Sequence, residues 1–145
     1  MLLTVQLPAA GPIPISKETT RNAITVFRQD PLSPQGRAAG EIVRSFAEKS
    51  DAVLLNITAK LVPFQTNVSL GPEDRTLLLD AYIVGNVDSQ LLRNEKKDDP
   101  YAGVSEVIQT YRQMQKQTPT LQLPEVENFI DLEKRGELKQ YVASP

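Results

Sequence analysis

At 145 residues, with 40% hydrophobic and 23% charged residues, the chain has the size and composition of one globular domain and is too apolar for disorder. A net charge of -2 removes the global basic field that would gather nucleic acid or anionic lipid. It holds no histidine and no cysteine, which excludes disulfide scaffolds, thiol nucleophiles, zinc-finger schemes and the commonest general base.

The first fifteen residues read as an extended arm. Pro8, Pro12 and Pro14 deny them a helix, and Thr4 to Leu7 suit a short edge strand. Met1 to Val5 lack a basic n-region, and Gln6 and Pro8 break the apolar run, so no signal peptide is read. The chain therefore fits a cytoplasmic protein, or a mature secreted or periplasmic one without disulfides. The arm carries Leu2, Leu3, Val5, Leu7, Ile13 and Ile15, much apolar area for a free tail. Leu3, Val5, Leu7, Ile13 and Ile15 are the candidate partner-binding residues, for another protein or for self-association.

Residues 16–145 read as one helical domain. Ser16 caps a first helix that runs to about Gln29, with Ala23, Ile24 and Phe27 on one side, and Asp30-Pro31 ends it. Ser33-Pro34 starts a second helix, its apolar face formed by Ala38, Ala39, Ile42, Val43, Phe46 and Ala47, with Gly40, Glu41 and Arg44 opposite. From Asp51 to Val62 the alternation of Val53, Leu55 and Ile57 with Leu54, Asn56 and Thr58 favours a strand over a helix, paired with the arm.

Gly71-Pro72-Glu73-Asp74 opens the longest helix, to about Arg93. Its apolar residues, from Leu77 to Leu92, wrap most of the circumference, which marks it as central. Ala81, Gly85 and Ser89 form a line of small residues where another backbone can approach. Asp99-Pro100 repeats the cap-plus-proline start for a fourth helix to about Gln117. Tyr101, Val104, Val107, Ile108, Tyr111 and Met114 lie on one face, and Glu106, Gln109, Thr110 and Arg112 on the other. A last helix begins near Pro124 and ends at Gly136, with one more docking turn at Leu138 to Val142. The fold expectation is mainly α: four to five helices around a central helix of about residues 72–93, with at most a small N-terminal β pair.

Chemistry has few places to reside. Asp80 and Asp88 sit on apolar arcs of the central helix, where a carboxylate must be hydrogen-bonded, paired or protonated. Each reads either as an ion pair to Arg28, Arg37 or Arg44, or as a ligand anchor with Tyr82 or Tyr111 as proton donors. The two aspartates point about 80° apart at helical spacing, a poor match for a paired acid/base site. Lys96, Lys97, Arg112 and Lys116 are the one basic concentration; without interleaved aromatics they do not favour nucleic acid. Asn56-Ile57-Thr58 and Asn67-Val68-Ser69 are formal glycosylation triplets. No phosphate loop, nucleophile elbow, metalloprotease or Rossmann motif occurs, no cofactor or metal site is read, and no run reaches the roughly 20 apolar residues of a bilayer span. The expected function is a non-catalytic protein-interaction or structural module. The alternative is a small-ligand-binding protein, or a carboxylate-dependent enzyme, with a site beside the central helix.

Overall fold

The computed structural model describes residues 14–145. Among them, six α-helices follow in chain order: α1 (Lys17–Gln29), α2 (Pro34–Lys49), α3 (Pro72–Arg93), α4 (Pro100–Gln117), α5 (Pro124–Lys134) and α6 (Leu138–Ala143). A single 3₁₀ turn, Pro63–Thr66, lies in the connection before α3. No helix among the described residues is long and apolar enough to cross a membrane.

The helix starts follow from local chemistry. The Ser16, Ser33 and Asp99 side chains accept hydrogen bonds from the amides of Thr19, Gly36 and Ala102, and proline opens α2, α3, α4 and α5 where its missing N–H has no helical partner to lose. Asn94 ends α3 in the left-handed region at φ 52°, and Gly136 does the same after α5 at φ 70°.

The central helix is α3. Leu78, Ala81, Tyr82, Val84 and Val87 have no exposed surface, so neighbours enclose it on all sides. Helix α2 runs parallel to it, as Arg37 meets Asp74 and Arg44 meets Asp80. Helix α4 runs antiparallel: Gly103 lies against Tyr82, Ala102 against Gly85, and the Asp99 amide donates to Asn86. The line of small residues is thus an internal seam. A Cβ on Gly85 would lie 2.3 Å from the Ala102 carbonyl oxygen, and one on Gly103 would lie 2.6 Å from the Tyr82 ring.

Three expectations change. Among the described residues there is no strand; residues 53–58 have no regular structure, and the proposed partner, Thr4 to Leu7, lies outside those residues. A buried side-chain amide replaces the missing strand. Gln90 on α3 accepts from the Leu54 N–H at 3.0 Å and donates to its C=O at 2.8 Å. The helix count is six rather than four or five, because Leu138–Ala143 closes into a helix over Phe129, whose ring meets Tyr141 edge-on. Finally, Gly40 and Glu106, read as outward-facing, are buried: Gly40 faces Phe27 and Asp80, and Glu106 is covered by Arg28.

Candidate functional site

Two clefts flank α3 and divide its two aspartates between them. The first lies between α2 and α3, with a volume of about 530 Å³. The parallel run of these helices leaves Pro34 and Ala38 facing Pro72 and Leu77 as apolar walls. Asp80 forms its floor, only 4% exposed, because Gly40 lets α2 approach its Cβ. Arg44 Nε stands 3.3 Å from Asp80 Oδ1, close enough for an ion pair but not aligned as a hydrogen bond. Oδ1 therefore has no hydrogen-bond donor among the described residues. Arg44 also reaches toward Glu41, at 3.6 Å. Burial raises the Asp80 pKa to about 6; Arg44 opposes that shift and Glu41 and Glu48 add to it.

The second cleft, about 400 Å³, opens between α3 and α4 and is polar. Arg28 reaches into it from α1. Its Nη1 lies 3.0 Å from Asp88 Oδ2, while Nη2 and Nε donate to Glu106 Oε1 at 2.6 and 3.0 Å. One guanidinium thus answers a carboxylate from each of two helices and joins α1, α3 and α4. Burial works against its charge, but the bonds and fields of Glu106 and Asp88 prevail and hold its pKa above the ordinary value. Asp99 caps α4, accepts from Ser89 and pairs with Arg93 at 3.3 Å, leaving this cleft with little unused polar capacity.

The tyrosines lie elsewhere. Tyr82 is fully buried against Gly103, its hydroxyl without a hydrogen-bond partner among the described residues. Burial pushes that hydroxyl far above the usual phenol range; Asp98 and Asp99 add to the shift and Asn86 opposes it. Tyr111 is also buried and occupied. Its hydroxyl donates to Glu127 Oε1 at 2.8 Å and accepts from the Leu123 N–H at 3.1 Å. No hydrogen bond joins any two of Asp80, Tyr82, Asp88 and Tyr111 among the described residues, so they do not form one constellation. No group of three or more carboxylates placed to hold a metal occurs among these residues.

Two features were not singled out by the sequence pattern. Glu106 completes the ionic junction that Arg28 makes with Asp88. Asn86 and Gln90 form a buried amide ladder, with Gln90 Nε2 donating to Asn86 Oδ1 at 2.7 Å and Asn86 Nδ2 to Asp98 Oδ1 at 2.8 Å. The spacing of the ladder was a signal: two amides four residues apart, on a helix apolar all round, must find partners inside.

A third concavity, about 570 Å³, lies where the described chain begins. Pro14 and Ile15 line it with Phe46, Lys49 and Asp51. Ile15 is half-buried and packs on the core. Leu3, Val5, Leu7 and Ile13 lie outside the described residues. Comparison with protein-family models, with curated proteins and with solved structures finds no match for the chain.

Proposed function

We propose that the chain is a non-catalytic protein-interaction module that self-associates by lending residues 1–13 to the 53–57 face of a second copy. The observation that carries this reading is the state of residues 53–57. Leu54 is the one member whose backbone is hydrogen-bonded among the described residues, and a side chain, Gln90, does the bonding. No hydrogen bond among the described residues uses the N–H and C=O groups of Leu55, Asn56 and Ile57, and Leu54 and Ile57 are 52% and 38% exposed. Free main-chain groups beside exposed apolar side chains suit the addition of a strand-like segment. Residues 1–13 supply one of matching chemistry, with Leu2, Leu3, Val5 and Leu7, and Pro14, the residue that follows them, shares a concavity with Asp51, two positions before this face.

The test is solution mass over a concentration series for the full chain and for residues 14–145, together with titration of the 14–145 body with a peptide of residues 1–13. Assembly of the full chain that is lost on truncation, and also lost in Leu54→Asp/Ile57→Asp, supports the reading. A monomeric full chain whose body still binds the peptide overturns it in favour of an arm folded back on its own chain. A monomer whose body ignores the peptide overturns it altogether.

A further inference from the structure

The floor of the α2–α3 cleft carries a carboxylate that the fold does not satisfy. An ionised carboxylate offers about four acceptor sites, and buried ones are normally met by backbone amides, hydroxyls or aligned guanidinium groups. Asp80 accepts no such bond among the described residues, although its side chain is only 5% exposed. Asp88, two turns along the same helix, pairs with Arg28 at 3.0 Å and keeps 19% of its side chain exposed to water. The difference concerns what surrounds each group rather than what α3 demands.

The cleft above Asp80 has the size of a small-molecule site, and its electrostatics name a sign. Arg37, at one end, is occupied: it donates to the Leu32 and Glu73 carbonyls and to Asp74. Arg44 is shared between Glu41 and Asp80. The cleft therefore holds little free positive charge for an anion, while the Asp80 carboxylate has unused acceptor capacity and Glu41 lies on the same wall. The remaining walls, Pro34, Ala38, Pro72 and Leu77, are apolar.

We infer that this cleft binds a primary ammonium carried on a short apolar body, with the Asp80 carboxylate as its anchor and Glu41 as a second, more exposed acceptor. An ammonium is compact, brings three donors and a positive charge, and so supplies what the buried carboxylate lacks. The alkyl or aryl body then packs between the two prolines and Leu77. A free amine and a lysine side chain of another protein share this chemistry.

The experiment is a titration of the full chain, followed by backbone amide NMR shifts at Ala38, Gly40, Thr76 and Leu77. The probes are n-butylammonium, n-butanol as its neutral counterpart, and Nα-acetyl-lysine N-methylamide. Saturable shifts confined to the cleft are expected with butylammonium, with butanol weaker by at least about tenfold, the worth of one charge-assisted hydrogen bond. Asp80→Asn should abolish them. Ala38→Trp, which fills the cleft and leaves Asp80 in place, should do the same if Asp80→Asn proves misfolded. Binding of the lysine derivative as tight as that of butylammonium assigns the site to a protein lysine, and weaker binding assigns it to a free amine. Equal shifts with butanol, binding that survives both variants, or no saturable shift with any probe overturns the inference.

Discussion

The α3–α4 seam and the α2–α3 cleft are built on the same helix, yet they treat a buried acid in opposite ways. At the seam, Gly85 and Gly103 let the backbones close, and Asp88 and Glu106 share an arginine at 3.0 and 2.6 Å. Across α3, Gly40 brings α2 close as well, but Arg44 meets Asp80 only at 3.3 Å and out of line. Close approach alone does not satisfy a carboxylate; the direction from which its partner arrives does. Arg28 enters from a third helix and is free to aim its fork. Arg44 stands on the helix that packs directly against Asp80, and is drawn toward Glu41 as well.

The largest expected break in this comparison is at the seam. Gly85→Ala should cost about 3 kcal/mol, since its Cβ would stand 2.3 Å from the Ala102 carbonyl, and only the whole of α4 can yield. Helix propensity returns at most about 1 kcal/mol of that. Denaturant unfolding checks it, and a neutral or stabilising result would refute the tight seam. Next comes Arg28→Ala. Removing one partner of a fully buried pair costs about 3–5 kcal/mol, but the Arg28 side chain is 42% exposed, so screening lowers the expected loss to about 2 kcal/mol. Adding Glu106→Gln to Arg28→Ala should recover part of the loss. If it recovers nothing, Glu106 is not the charge that Arg28 neutralises.

The helix plan was legible in the sequence because its signals are local. Ser16, Ser33 and Asp99 as caps, prolines at the first helical positions and Gly136 at a C-terminus need nothing beyond a few neighbouring residues. The candidate arginines were legible too: Arg28 serves Asp88 and Arg44 serves Asp80. The fate of residues 51–62 was not. Alternating, β-branched residues there carry a strand signal, but the hydrogen bonds of Leu54 come from Gln90, a residue 36 positions away. Glu106 misled in the same way. Its position on α4 reads as polar and outward, and only the arrival of Arg28 from 78 positions away makes a buried glutamate tolerable.

The smallest effect is the one that separates the two acids most sharply. Burial, opposed by Arg44 and reinforced by Glu41 and Glu48, all on α2, raises the Asp80 pKa from 3.8 to about 6. With the folded pKa above the unfolded one, the protonated group favours folding. That contribution is fully present below about pH 4 and is lost as pH rises through about 6. Asp80→Asn, which mimics the protonated acid, should therefore stabilise the protein at pH 7 to 8. A shift of this size, in which the pull of Arg44 is already included, bounds the gain near 3 kcal/mol, and relaxation of the open cleft around the charge lowers it to about 1 kcal/mol. The advantage should shrink on acidification and vanish near pH 4, where the native residue carries its own proton. Thermal unfolding of both forms across that range decides the matter. A constant gap would mean that folding leaves the Asp80 pKa unchanged, and one that widens toward acid that its ionised form is well paired; either would erase the contrast between the two sides of α3.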